Sequence, residues 1–240
     1  MSPPKVFLHG WGQSRQIWKQ QQACFPNARI LNLPGHGGAA DASDWVTAIS
    51  EQLPASPSII IGWSLGGIIA MQLALAAPEK VEALVLVSTT PSFCAKTGWE
   101  YGCRDEVLQA FASGIESNSA KTMSRFFALM FQGDDISRQQ YNEIARTAFD
   151  KSNPPSETGL SHGLELLERC DLRQQFTQIQ QPTLVIHGEQ DAVIPCSAGQ
   201  QLAEGIAHSR WHPITRCGHV PFLTHSKIFN ETVEAWCQKI

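Results

Sequence analysis

An α/β fold built on a parallel sheet is the fold class the chain predicts, and three observations carry that prediction. Short apolar runs alternate with helical patterns along most of the chain, the signature of strands joined by crossover helices. Gly62-Trp63-Ser64-Leu65-Gly66 directly follows the β-branched run Ser58-Ile59-Ile60-Ile61 and opens into a helical run, so the serine sits on a strand-to-helix turn. Between about residues 90 and 171 the alternation stops and only helical patterns remain. That stretch is too long for a simple loop and reads as a helical lid inserted between two strands.

Taken in order, strands are expected at 5–8, 29–33, 58–61, 83–88, 183–187 and 210–213. Helices are expected at 13–22, 43–53, 65–77, 196–207 and 221–239, with Ser43 or Asp44 capping the second and Pro78 stopping the third. The runs at 81–87 and 182–186 are nearly all apolar, as central strands covered on both faces must be. Within the insertion, helical patterns fall at 105–114, 120–131 and 137–150, and Asn153-Pro154-Pro155 divides the lid into two helical pairs. Because the first strand begins at Lys5, about six strands are expected, all parallel, with helices on both faces.

Composition narrows the class further. The 240 residues suit one domain, 1–240, with the lid as an insertion within it, and a hydrophobic content of 42% is ample for a core. A net charge of −4 gives no general attraction to nucleic acid or an anionic membrane, and no apolar run is long enough to span a bilayer. Seven scattered cysteines without a C-x-x-C pair argue against a disulfide framework or a zinc site. With no secretory leader pattern at the N-terminus, a reduced, cytoplasmic protein is expected.

The elbow at Ser64 needs small neighbours, since a side chain there would strike the next strand or helix. Serine acyl transfer also needs a base, an acid to orient it and donors for the oxyanion, in the chain order Ser, acid, His. Asp191 follows the expected strand 183–187 and is favoured over Glu189, because Val193-Ile194-Pro195 can pack down and fix its turn. His219, in Gly218-His219-Val220-Pro221, lies between the last strand and the last helix, where a loop can carry it to Asp191 and Ser64. Cys217 is a rejected nucleophile, since the serine is better placed.

His9-Gly10-Trp11-Gly12 follows the first strand, where this architecture, the α/β-hydrolase fold, places one oxyanion donor. The N–H groups of Trp11 and Leu65 are therefore the expected oxyanion hole, with the Trp11 indole walling the acyl chain. His9, and His36 in Pro34-Gly35-His36-Gly37-Gly38, read as structural. On the lid, Phe126, Phe127, Ala128, Leu129 and Met130 form a largely apolar segment, with Phe126 and Met130 on one helical face. Lys121 and Arg125 lie one turn apart, with no acid between Ser117 and Gly133. They read either as a solvated helix face or, with Arg138 and Arg146, as a docking patch for an acidic carrier.

The combination of His9-Gly10-Trp11-Gly12, Gly62-Trp63-Ser64-Leu65-Gly66-Gly67 and Gly163-Leu164-Glu165-Leu166-Leu167 with Asp171-Leu172-Arg173-Gln174 resembles the pimeloyl-[acyl-carrier protein] methyl ester esterases of bacterial biotin synthesis. The resemblance runs over nearly the whole chain. It implies a monomeric, cofactor-free serine carboxylesterase acting on a pimeloyl methyl ester borne by acyl-carrier protein. By position it implies that Trp11, Ser64, Leu65, His219 and residues 126–130 line the substrate channel, while Lys121, Arg125 and Arg138 face the carrier. Asn142 stands where the family pattern offers a further basic residue. Two competing readings are a lyase or C–C hydrolase of the menaquinone-pathway type and a non-catalytic binding protein of the same fold. A generic short-chain carboxylesterase is a third.

Overall fold

The computed structural model describes residues 2–148, 150 and 152–240. Six strands, β1 (Lys5–Leu8), β2 (Arg29–Leu31), β3 (Ser58–Trp63), β4 (Val81–Val87), β5 (Thr183–Gly188) and β6 (Ser209–Ile214), form one sheet in the order β2-β1-β3-β4-β5-β6. Every pairing is parallel, as the alternation of runs and helices requires. Along each central strand, alternate residues feed opposite cores. Val6, Leu8, Ile60, Leu84, Leu86 and Val185 enter one, and Phe7, Ile59, Ile61, Val85, Leu184 and Ile186 the other. Both faces are covered, which is why these strands read as unbroken apolar runs.

The strand order reverses between β1 and β3, whose register pairs Leu8 with Gly62. The loops leaving these two strands therefore meet at the sheet's C-terminal edge, where open α/β sheets place their ligands. β3 passes without a break into α3 (Leu65–Ala76), which is apolar on nearly all sides and buried.

Several helices differ from the sequence pattern, each for a local reason. The segment expected at 13–22 becomes a 3-10 turn, Arg15–Trp18, capped by Ser14, followed by α1 (Lys19–Cys24). α2 (Trp45–Ser50) is shorter than expected and starts where Asp44 accepts the N–H of Thr47. After α7 (Cys196–Gly205), the last expected helix splits into α8 (Pro221–Thr224) and α9 (Ser226–Cys237), because His225 leaves the helical region. α9 packs Phe229, Val233 and Trp236 into the same core as Trp18 and Phe222.

Between β4 and β5 lie α4 (Asp105–Met130), α5 (Arg138–Ala148) and α6 (Glu157–Arg169). The two patterns expected at 105–114 and 120–131 are the halves of α4, which turns at the non-helical Asn118. The Asn118 carboxamide accepts the N–H of Lys121 and so caps the second half. α6 begins at a Ser156 cap and was masked in the sequence by its glycines, poor helix formers in isolation. Those glycines are contact points: a Cβ at Gly159 would strike Gly35, and one at Gly163 would strike the Trp11 ring. The ends of the insertion are tied together by a Ser92–Asp171 bridge and by Arg173, which holds both Asp171 carboxylate oxygens at 2.8 Å and the Thr97 carbonyl at 2.8 Å. No helix among the described residues is long and apolar enough to cross a membrane.

Candidate active site

Ser64 occupies the single residue between β3 and α3, at φ 54° and ψ −120°. Such a backbone is strained for a residue with a side chain and persists because its surroundings fix it. The Ser64 N–H donates to the Val87 carbonyl at 3.0 Å, and its own carbonyl accepts the Thr89 hydroxyl at 2.7 Å. A Cβ at Gly62 would collide with Gly66, and a Cβ at Gly66 with the carbonyls of Leu8 and His9. The glycines of the motif are thus set by the closeness of β1, β3 and α3.

His219 Nδ1 lies 2.7 Å from Asp191 Oδ2, with both side chains fully buried. Asp191 Oδ1 accepts the N–H groups of Val193 and Ile194 at 2.8 and 2.9 Å, so the Val-Ile-Pro turn fixes the carboxylate as anticipated. Burial would raise this carboxyl, but His219 and His187 outweigh it and hold Asp191 well below the usual carboxylate range. The rival Glu189 is exposed. Since Nδ1 is committed to Asp191, Nε2 is the imidazole atom left for chemistry, and it is buried without a partner among the described residues. Trp63 joins this loop to the elbow: its indole N–H donates to the His219 carbonyl at 2.9 Å, and its ring lies 5.4 Å from the imidazole.

The loop after β1 is held by two neutral histidines. His9 Nε2 accepts the Leu33 N–H at 3.0 Å, and His36 Nε2 accepts the Gly12 N–H at 3.1 Å. Burial, helped by the neighbouring His36, lowers His9 to about 3, and burial lowers His36 as well. The backbone N–H groups of Trp11 and Leu65 donate to no acceptor among the described residues. Leu65 is the first residue of α3, so its N–H also carries the positive end of the helix dipole.

A serine on a strained turn, a buried Asp–His pair and two N–H groups without acceptors among the described residues are the parts a serine acyl-transfer site needs. Residues 3–226 match the α/β-hydrolase fold family. A pimeloyl-[acyl-carrier protein] methyl ester esterase of Nitrosomonas europaea is 35% identical, over 97% of this chain and 95% of the relative. One from Pectobacterium carotovorum subsp. carotovorum is also 35% identical, over 97% and 93%. The chain belongs to this esterase family. Among solved structures, an esterase from Exiguobacterium antarcticum shares the fold with a TM-score of 0.88 at 23% identity, covering 99% of this chain and 93% of that one.

The inserted helices sort the remaining expected residues by face. Trp11 is almost wholly buried; its indole N–H donates to the Leu160 carbonyl at 2.9 Å, and its ring packs edge-on against Phe111 and Phe126. Phe127 turns the other way, onto Phe131 and Tyr141, and Met130 is buried beneath the helix end. Ala128 and Leu129, expected in the channel, lie on the exposed face, Leu129 with 37% of its surface open. One helical turn cannot direct five successive side chains inward. A cavity of about 710 Å³ opens between α4, α5 and the loop after β1, lined by Gly12, Gln13, Met123, Phe127, Tyr141 and Leu160 among others. Lys121, Arg125 and Arg138 are exposed.

Two side chains beside the site escaped the sequence reading. His187, at the end of β5, is fully buried, with Nε2 2.9 Å from the Ile194 carbonyl and 3.2 Å from Asp191 Oδ2. Its signal was a polar residue in an otherwise apolar central strand, which demands a partner. Asp134, just beyond α4, accepts the Gly218 N–H at 2.9 Å and the Thr224 hydroxyl at 2.8 Å. Asp134, Cys217 and His225 also bring possible metal-ligand atoms within 4.8 Å of one another. Burial, more than any neighbour, pushes the Cys217 thiol far up, which opposes the thiolate a metal would need.

Proposed function

We propose that this esterase removes the methyl group from a pimeloyl chain carried on acyl-carrier protein, with Ser64, His219 and Asp191 as its catalytic triad. His219 Nε2 takes the Ser64 proton as Oγ attacks the ester carbonyl, and the N–H groups of Trp11 and Leu65 receive the oxyanion. The tetrahedral intermediate collapses as His219 protonates the leaving oxygen, releasing methanol and leaving an acyl-Ser64 ester. Water, deprotonated by His219, then attacks that ester by the same route. The products are a free carboxylate on the carrier-bound chain and restored Ser64. Asp191 holds the imidazole in the tautomer with Nε2 free and stabilises the imidazolium.

The observation that carries the reading is the 2.7 Å Asp191–His219 contact, which commits Nδ1 and leaves Nε2 as a base. The substrate is supported by the relatives whose name states it, at 35% identity along nearly the full chain. In this reading Trp11 and Phe126 shape the acyl site, and Lys121, Arg125 and Arg138 attract the acidic carrier.

The deciding experiment is growth of a biotin auxotroph lacking its own esterase, with wild type compared against Ser64→Ala. Wild type is expected to restore growth and Ser64→Ala to fail, with esterase turnover reduced on the order of 10⁶-fold. A wild type that hydrolyses small esters yet never restores growth would reduce the assignment to a general carboxylesterase.

A further inference from the structure

We infer that Asp134 is a positioning residue of this esterase: its carboxylate, at the exit of the inserted helices, holds the loop that presents His219. The inference rests on the triad assigned above and concerns how His219 is kept in place.

The loop carrying His219 has little regular structure of its own, since β6 ends at Ile214 and α8 begins at Pro221. Its backbone is held largely from outside. The His219 N–H donates to the carbonyl of Met130, the last residue of α4, at 2.9 Å. One residue earlier, the Gly218 N–H donates to Asp134 Oδ1 at 2.9 Å, and the same oxygen accepts the Thr224 hydroxyl at 2.8 Å. The Asp135 N–H donates to the Arg216 carbonyl at 3.2 Å. Three hydrogen bonds, from the main chain of 216–219 to the last residue of α4 and to the turn after it, thus fix the approach to the imidazole.

Two glycines show how close the fit is. A Cβ at Gly218 would come within 2.9 Å of Asp134 Oδ2 and of the carbonyls of Met130 and Gln132. Gly133, at φ +92°, lies against Gln190, the residue before Asp191. The turn therefore touches the base loop and the acid loop together. Gln190 itself donates its N–H to the Cys217 carbonyl at 2.9 Å, closing the circuit.

The Asp134 carboxylate has the chemistry for a rigid anchor. Its side chain is fully buried, with His225 Nδ1 3.9 Å from Oδ1. Burial raises its pKa, opposed by the Gly218 and Thr224 hydrogen bonds and by His225. A charge-assisted bond to a backbone N–H is short and directional, so Asp134 fixes the position of Gly218 more tightly than an apolar contact can. Because α4 also carries Phe126 against Trp11, the insertion that shapes the acyl site and the base that serves it become one mechanical unit.

The test compares Asp134→Ala with Asp134→Asn, which retains an acceptor oxygen, and with Asp135→Ala, which removes only the exposed ion pair to Arg216. On a short p-nitrophenyl ester, Asp134→Ala is expected to lose about 10–100-fold in kcat with KM changed less than about threefold, as misplacement of a catalytic group does. Asp134→Asn should recover most of that kcat, and Asp135→Ala should match wild type. The downfield Nδ1–H proton signal of His219 should shift or broaden in Asp134→Ala alone. Should Asp134→Ala not fold, Asp134→Thr, with one oxygen on a shorter arm, must show the same loss in kcat. An alanine variant that unfolds at lower temperature yet keeps wild-type kcat and an unchanged His219 signal would overturn the inference. A wild type inactive on every ester would instead overturn the proposed function.

Discussion

The sheet-borne site and the inserted helices are built by different physics. Ser64, Asp191 and the loop after β1 are held by backbone hydrogen bonds, excluded Cβ positions and buried polar pins such as His9 and His36. The insertion is held mainly by side-chain packing, with Trp11, Phe111 and Phe126 on one side and Phe127, Phe131 and Tyr141 on the other, and its outer face is charged and exposed. Backbone constraints accept almost no substitution, whereas packed aromatic faces tolerate rearrangement at modest cost. The first region is suited to fixing reactive atoms, and the second to fitting a particular chain.

The sharpest way to break this comparison is at Asp191, the proposed acid of the triad. Asp191→Asn keeps the shape of the turn but presents an amide to His219 Nδ1, favouring the wrong tautomer. A loss of about 10⁴-fold in kcat is expected on carrier-bound and small esters alike. Steady-state kinetics on both substrates check it; a loss confined to the carrier-bound ester would move Asp191 from chemistry to recognition.

Next comes the backbone under Ser64. Gly66→Ala places a methyl group against the Leu8 and His9 carbonyls, neither of which can move without parting β1 from α3. We expect a destabilisation of about 4 kcal/mol or more, seen as a lowered thermal midpoint or failure to accumulate as folded protein. Gly98→Ala supplies the contrast: nothing lies within 4 Å of a Cβ there, and only its φ of +75° opposes the change. Its cost should be about 1 kcal/mol.

These two regions also differed in how far the sequence revealed them. The strands were legible because both faces are buried, and Ser64 because its turn dictates glycine at 62 and 66. Asp191 could be separated from Glu189 because the residues that fix its turn follow it directly in the chain. Contacts between distant segments were not legible. His187 and Asp134 act on partners brought together only by folding, and nothing next to His225 announces that a helix breaks there. Residues 126–130 illustrate the same limit, since a run of five names a helical turn without saying which side faces Trp11.

A smaller effect is expected at His187. Replacing it with Phe keeps the bulk but removes the N–H shared by the Ile194 carbonyl and Asp191 Oδ2. Leaving the Ile194 carbonyl buried and unpaired should cost about 1–3 kcal/mol. Asp191 would keep His219 and its two backbone donors, so turnover should fall only about tenfold, far less than for Asp191→Asn. Denaturant unfolding alongside kinetics separates the two outcomes. A rate loss as large as that of Asp191→Asn would make His187 an essential partner of the carboxylate.

On the outer face of the insertion the expected effect on stability is smallest. Lys121 and Arg125 are exposed, one turn apart on the second half of α4, and neither has an ion-pair partner among the described residues. The double change Lys121→Glu/Arg125→Glu should alter unfolding free energy by less than about 0.5 kcal/mol. If this face meets an acidic carrier, KM for the carrier-bound ester should rise several-fold and fall back toward a common value as salt screens both forms. Kinetics on a small free ester should stay the same. An equal loss on both substrates would mean that the charges act on the site itself, and the division between a backbone-fixed catalytic edge and a side-chain-built recognition face would fail.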